Sequence, residues 1–298
     1  MRKILLLFQK PRKVLLYLES KGLFNFLSDR KYLKLMYRLR IGKKLNLSQP
    51  KTFNEKLQWL KLYDRKPEYT NLVDKYEVKR IVADKIGEEY IIPTLGVWDK
   101  FDDIDFDKLP NQFVLKCTHD SGGLVICKDK SKFDIKSAKK KINKSLKRNY
   151  YYHGREWPYK NVKPRIIAEE YKEDSNSREL CDYKFFCFDG KVKALFIASD
   201  RQKNGEETKF DFFDENFNFL PFTNGHPNAS ILPEKPKNFE KMKLLSQELS
   251  KGFAHVRVDF YEVDGKIYFG EITFSHWSGM VPFVPEKWDE KFGTFINI

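Results

Sequence analysis

The sequence predicts an α+β fold with antiparallel sheets, and three observations carry that reading. Apolar-alternating runs come in pairs joined by short turn dipeptides, so neighbouring strands should run antiparallel. Helical periodicity is gathered mainly in residues 1–90. Strands and helices do not alternate in βαβ order, and no GxGxxG or GxxxxGK[ST] occurs, which argues against Rossmann and P-loop designs.

In chain order, Ile4–Phe8 and Val14–Leu18 are strongly apolar, but Gln9–Lys13 splits them, so neither can span a bilayer. No small-residue cleavage site follows, as a signal peptide would require. A basic segment lying on the inner membrane surface, a partner-docking helix or a short packing helix remain open. Lys31–Leu39 has helical spacing. Thr52 with Glu55 forms a capping box ahead of an amphipathic helix over Asn54–Leu62. Asp74–Ile86 is a further helix, closed by Gly87.

Strands follow at Tyr90–Trp98, broken by Pro93, and at Phe113–Cys117 and Leu124–Cys127 around the loop 118–123. Phe133–Asn149 is a Lys-rich helix and Arg165–Tyr171 a strand. Asp182–Phe188 and Lys191–Ala198 form a hairpin at Asp189-Gly190, and Phe239–Lys251 is a helix. The turn-rich stretch 199–235 is expected to be a mobile loop, with Asn204-Gly205, Pro221, Asn224-Gly225, Pro227 and Pro233 as breakers. The expected domains are a helical region at 1–70, a unit at 71–175 carrying the 118–123 loop, and a unit at 176–298.

A chain of 298 residues with 41% hydrophobic and 15% aromatic content can bury a core, which excludes global disorder. The formal charge of +14, from 56 Lys+Arg against 42 Asp+Glu, favours a polyanionic partner without choosing one, and Lys-rich coding bias contributes to it. No nucleic-acid-binding module is present. Cys117, Cys127, Cys181 and Cys187 lie in apolar runs without metal or CxxC spacing, which reads as buried thiols in a reducing cytosol.

The chemistry concentrates in Val256–Thr273, two alternating runs about a turn. A two-residue Asp264-Gly265 turn would pair Val258 with Glu271 and put Asp259 and Glu271 on opposite faces. A three-residue Val263–Gly265 loop with a Gly bulge would pair Arg257 with Glu271, placing Arg257, Asp259, Glu271 and Thr273 on one face. The second register is expected, because Gly265 at the third loop position is what a type I turn with a G1 bulge requires; it builds a hard-oxygen cluster suited to Mg²⁺. Upstream, Lys116 precedes Ser121-Gly122-Gly123, so a cation and backbone N–H groups could surround phosphate oxygens. Glu169-Glu170-Tyr171 ends an apolar strand, and Lys184 shares a strand face with Asp182 and Phe186.

In this order and spacing, Thr52–Leu60, Asp74-Lys75-Tyr76, Phe113–Gly123, Ala168–Tyr171, Asp182–Phe185, Arg257-Val258-Asp259 and Gly270–Thr273 resemble the ATP-grasp superfamily, in the branch similar to the teichuronopeptide-synthesis protein TupA. The resemblance runs from about Leu39 to Met280. It implies an ATP-grasp fold, two α+β subdomains enclosing ATP, behind a helical N-terminal region. Lys116 would contact the α/β-phosphates under a flap of Ser121, Gly122 and Gly123. Glu169, with the backbone near Glu170 and Tyr171, would hold adenine. Lys184 would aid phosphate or ribose binding. Asp259, Glu271 and Thr273, which stands where Asn is usual, would hold Mg²⁺. Arg257 and Lys116 would stabilise the transferring phosphoryl group.

The implied activity is ATP-dependent ligation of a carboxylate to an amine through an acyl phosphate. In this branch it points to an anionic sugar of a cell-surface polysaccharide or capsule precursor, joined to an amino acid or amine. The 118–123 flap and the 199–235 loop are the lid candidates, and Ser275–Met280 the second-substrate lip. The rival is a nucleotide-sugar glycosyltransferase using the overlapping DxD patterns of Asp102–Asp107.

Overall fold

The computed structural model describes residues 11–175, 181–199 and 207–298. Ile4–Phe8 and the Asn204-Gly205 turn lie outside the described residues.

Two helices come first, α1 (Pro11–Ser20) and α2 (Asp29–Arg40), followed by α3 (Phe53–Tyr63). The capping box at α3 forms as the sequence indicates: Thr52 Oγ1 accepts from Glu55 N at 3.2 Å, and the Glu55 carboxylate accepts from Thr52 N at 3.3 Å. After α4 (Tyr69–Val73), α5 spans Glu77–Ile86 rather than starting at Asp74. The reason is that Asp74 caps it from outside, accepting from Tyr76 N and Glu77 N. Gly87, at φ 120°, ends it.

Strands β1 (Thr94–Trp98), β2 (Phe113–Cys117), β3 (Leu124–Cys127) and β4 (Ile166–Glu170) form an antiparallel sheet in the order β1-β4-β2-β3. Its inner face carries Phe113, Leu115, Cys117, Ile166 and Ala168, packed on α6 (Ile135–Leu146). Its outer face carries Val114, Lys116, Ile167 and Glu169, which period-2 alternation turns toward the rest of the molecule.

A six-stranded sheet follows, in the order β11-β10-β5-β6-β7-β8. It comprises β5 (Asp182–Phe188), β6 (Lys191–Ser199), β7 (Lys209–Asp214), β8 (Phe219–Leu220), β10 (Val256–Val263) and β11 (Lys266–Thr273). Both its faces are covered, so β5 and β6 read as nearly continuous apolar runs. Phe185, Cys187, Leu195 and Ile197 pack with α7 (Phe239–Leu249), while Phe186, Phe188 and Phe196 pack with α3 and α8 (Lys287–Gly293). Phe53, fully buried, centres the second layer, with edge-on contacts to Phe186, Phe188, Phe283 and Phe292. A short ribbon pairs β9 (Thr223–Asn224) with β12 (Phe283–Val284).

Two expectations are corrected. Part of the 199–235 stretch is not a loop: Lys209–Asp214 is a full strand of the larger sheet, with Phe210, Asp211, Phe212 and Phe213 buried. Its Phe content outweighs the turn residues around it. The β10–β11 turn is also shorter than expected. Val263 pairs with Lys266 around Asp264-Gly265, both with positive φ, as a two-residue hairpin turn requires.

Candidate functional site

The short turn should have separated Asp259 from Glu271, yet the two face each other. A bulge at Gly270 restores the parity: Phe260 pairs with Phe269, then Asp259 with Glu271 and Arg257 with Thr273. A Cβ at position 270 would press on the Asp259 carbonyl at 3.1 Å, so the bulge wants glycine. The shared face was therefore expected correctly, but by way of the wrong loop.

Asp259 is fully buried on this face. Arg257 donates to both its oxygens at 2.7 Å, and Lys184, directly across on β5, donates to Oδ2 as well. Arg257 also reaches Glu271 Oε1 at 3.0 Å and Thr273 Oγ1 at 3.1 Å. Burial alone would raise the Glu271 carboxyl. The charges of Lys184, Arg257 and Lys75 overcome it and hold the group at about 2. Behind this cluster, Arg257 Nη1 donates to His276 Nδ1 at 2.8 Å, so His276 must carry its proton on Nε2, which meets Asn224 Oδ1 at 2.9 Å.

The smaller sheet supplies the opposite wall. Lys116 and Lys79 each approach the buried Glu169 carboxylate at 2.5 Å. Burial would raise Glu169, but these two ammonium groups hold it below its ordinary range. Its side chain lies between the two lysines and also borders an apolar recess lined by Ile92, Val114 and Ile126. Glu170 turns outward and pairs with Lys172 at 2.8 Å, and Tyr171 packs under Lys128.

The 118–123 loop is anchored at its base. Thr118, His119 and Asp120 are buried, and Asp120 holds Gly123 N at 3.2 Å and the Ser145 hydroxyl. Lys75 Nζ donates to Asp120 O at 2.5 Å. Only Ser121 and Gly122 form an exposed tip, with Gly122 at φ 122°. A Cβ at Gly123 would strike Cys117 and Asp120, both 2.8 Å away.

One continuous cleft runs between the walls. Its central part is bordered by Lys75, Lys79, Lys116, the Ser121–Gly123 tip, Lys184 and Glu271. On one side it opens into an apolar recess of Ile92, Val114, Leu124, Ile126 and Tyr261, rimmed by Glu170 and Tyr171. On the other it opens into a larger cavity that includes Arg257, Thr273, Glu156 and Trp277. Of the residues to which the ATP-grasp resemblance gave a nucleotide, phosphate or metal role, all border this cleft except Asp259, which lies buried behind it, joined to Lys184 and Arg257.

Sequence reasoning missed Lys75, Lys79, Glu156 and Lys61. Lys75 stood inside a quoted motif and Lys79 one helical turn further on. Glu156 and Lys61 are distant in sequence and meet only in the fold. Lys61 Nζ donates to Gly154 O at 2.8 Å, Ser278 O at 2.6 Å and Ser278 Oγ at 2.7 Å, and the Ser278 hydroxyl bonds Glu156. Burial pushes the Glu156 carboxyl up and the Lys61 ammonium down. Trp277, Ser278 and Gly279 all have positive φ, an unusual run that sets Ser278 between these two groups.

The oxygens suit Mg²⁺ in kind, although both Asp259 oxygens are taken by Arg257 and Lys184 and would have to be released to it. Asp259, Glu271 and the Thr273 hydroxyl are hard oxygens on adjoining strands. Among the described residues no group of three acidic, His or Cys side chains could enclose a metal ion unaided, so remaining ligands would come from substrate and water. The acidic stretch Asp102–Asp107 borders none of these three regions. Asp102 pairs with Lys139 and Asp105 with Lys108, both at the surface.

Among solved structures, the chain resembles a D-alanine–D-alanine ligase from Bacillus anthracis at 19% identity and TM-score 0.39, covering 68% of this chain and 57% of that one. It resembles D-alanyl-alanine synthetase A from Vibrio cholerae at 14% identity and TM-score 0.43, covering 77% and 64%. The ATP-grasp ligase PsnB, complexed with a phosphomimetic precursor variant, Mg and ADP, matches at 10% identity and TM-score 0.43, covering 80% and 64%. The chain thus spans less than two thirds of these proteins, and likeness at this level carries no argument. No curated protein matches it. The sequence model of the TupA-like ATP-grasp family matches residues 55–297, most of the chain and both sheets, and the chain belongs to that family.

Proposed function

We propose that this protein is an ATP-dependent carboxylate–amine ligase. It joins an amine or amino acid to a uronic acid, or similar anionic sugar, of a cell-surface or capsule polysaccharide precursor. The observation that carries the reading is the cleft itself: a lysine-lined centre between two antiparallel sheets, apolar at one end and bordered at the other by Glu271 and Arg257, with Asp259 behind them. The family match and the net charge of +14 support the nucleotide and the anionic acceptor respectively. The DxD-based glycosyltransferase alternative has no support in the fold. A cytoplasmic location, with the N-terminal region touching the inner membrane face, completes the reading. No described helix is long and apolar enough to cross a membrane.

In this reading the recess takes the base, against Ile92, Val114, Ile126 and Tyr261, with the Glu170–Tyr171 backbone at its rim. Lys116 and Lys79 turn from Glu169 to the α/β-phosphates, and the Ser121–Gly123 tip supplies N–H groups. Lys184 lies between phosphate and metal cluster. Asp259, Glu271 and Thr273 would hold Mg²⁺, which when bound neutralises phosphate charge. Arg257 steadies charge developing on the transferred group. A substrate carboxylate oxygen attacks the γ-phosphorus as the bond to ADP breaks. The amine nitrogen then attacks the acyl carbon, phosphate leaves, and the amine proton passes to a base. Glu156 is that base: it borders the same cavity as Arg257, and burial raises its proton affinity toward the working pH.

Calorimetry with Mg-ATP, using UDP-sugars as control, tests the nucleotide assignment, and ADP release with paired uronic acids and amines tests the reaction. UDP-sugar binding in place of ATP would overturn the reading. Lys116→Ala removes one charged phosphate contact, roughly 1.5–3 kcal/mol, so ATP should bind about 10- to 100-fold more weakly. Unchanged affinity would remove Lys116 from the site.

A further inference from the structure

The model of the TupA-like family begins at residue 55, so α1 and α2 lie outside the matched region. Their inner sides help wall the larger cavity: Glu19, Tyr32, Met36 and Arg40 border it. Glu19 is buried, taking bonds from Tyr32 Oη at 2.6 Å and Arg40 Nη2 at 3.0 Å, so the pair is fixed to the cavity rather than loosely attached.

The outer side differs in kind. Arg30, Lys34 and Lys31, with Arg38, are exposed on α2 at helical spacing that puts them within one arc. From Pro11 to Asn54 there is no exposed acidic residue: Glu19 is buried, and Asp29 is held by Arg65 at 2.6 Å. Arg12, Lys13 and Lys21 are exposed as well. A basic helix face is usually just solvated. Here the connection between α1 and α2 also leaves Phe26 81% and Leu23 53% exposed, with Tyr17 at 57% on α1. Single exposed apolar side chains are common, but three within ten residues, in a basic segment that itself exposes no acid, are not explained by solubility.

We infer that the α1–α2 pair is a docking face for an anionic bilayer, with Leu23 and Phe26 entering the headgroup boundary and the Arg30–Arg38 row lying over acidic headgroups. Interfacial binding combines buried apolar area with attraction to anionic lipid, and both components are present. The docking face stands without the ligase reading. Only its consequence rests on that reading: the acceptor cavity, walled by the same two helices, is brought to the membrane, where a lipid-carried sugar would be presented.

The test is flotation of the full chain with phosphatidylcholine vesicles, with and without phosphatidylglycerol, with ATP binding measured on the same preparations. Expected is binding to the phosphatidylglycerol vesicles alone, weakening as salt rises. Lys31→Gln/Lys34→Gln/Arg38→Gln should lower partitioning roughly 100-fold, each charge contributing about fivefold. Leu23→Ser/Phe26→Ser should lower it separately. All five positions are exposed, so ATP affinity should stay unchanged in both variants. A wild type that ignores acidic vesicles, or variants that bind as it does, would overturn the inference. So would self-association in a sizing column that Leu23→Ser/Phe26→Ser abolishes, which would make the face a contact between copies. Loss of ATP binding in the wild type would instead strike the ligase reading and leave the docking result standing.

Discussion

Glu271→Gln should reduce Mg-dependent ATP turnover by about 10²–10³-fold and leave the protein folded, whereas Asp259→Asn should lose both activity and stability. The two carboxylates face each other, but their surroundings differ. The Glu271 side chain is 41% exposed and takes one Arg257 contact at 3.0 Å, so neutralising it costs little stability, about 1 kcal/mol. Asp259 is fully buried and is the counter-charge to both Arg257 and Lys184. Without it Arg257 keeps only Glu271 at 3.0 Å and Lys184 only Asp182 at 3.6 Å, and two nearly buried cations lose the counter-charge they share, which costs about 3–5 kcal/mol. Urea denaturation alongside ADP release separates the two effects. Wild-type turnover in Glu271→Gln would remove the metal assignment. Wild-type stability in Asp259→Asn would show that the charge cluster does not hold the hairpin to β5.

The second large effect is an acid-labile core. His255 is buried among Phe53, Phe186 and Phe188. Its Nδ1–H donates to Cys187 O at 2.9 Å, and Nε2 has no partner among the described residues. Burial, the largest influence, with the Arg257 charge added, pushes the ring down to about 3. The unfolded chain titrates near 6.5, so below that pH it binds a proton the folded protein refuses. Stability from this group is therefore complete above about pH 6.5 and lost as pH falls toward 3, at about 1.4 kcal/mol per pH unit. Asp289, raised by burial to about 6, and Glu156, raised likewise, act in the opposite sense over part of that range. The net curve hides the effect, and a difference reveals it. His255→Phe should gain about 2 kcal/mol on the wild type between pH 6.5 and 5, whatever its offset at neutral pH. Parallel curves in urea melts would show that the ring protonates in place.

Much of the fold was legible because local chemistry wrote it. The Thr52–Glu55 box, Gly87, the Asp189-Gly190 turn and the paired runs at Phe113–Cys127 each carry their own hydrogen-bond or φ requirement within a few residues. Lys209–Asp214 was misread because its strand character depends on pairing with β6, which turn residues in the same stretch do not reveal.

For the site, the residue types of the cleft were readable as motifs, but not their geometry. The β10–β11 hairpin shows why. A three-residue loop and a two-residue turn followed by a bulge both add one residue to one strand, so both leave Asp259 and Glu271 on one face. The sequence by itself determined that a single extra residue between Asp259 and Glu271 would bring both onto the face of Arg257, because side-chain alternation preserves parity wherever that residue sits. Only the tertiary structure decided that it sits at Gly270, that Glu169 lies between Lys79 and Lys116, and that Lys61 and Glu156 meet through Ser278. Those are contacts between distant segments, set by how sheets and helices pack, and no local pattern encodes them.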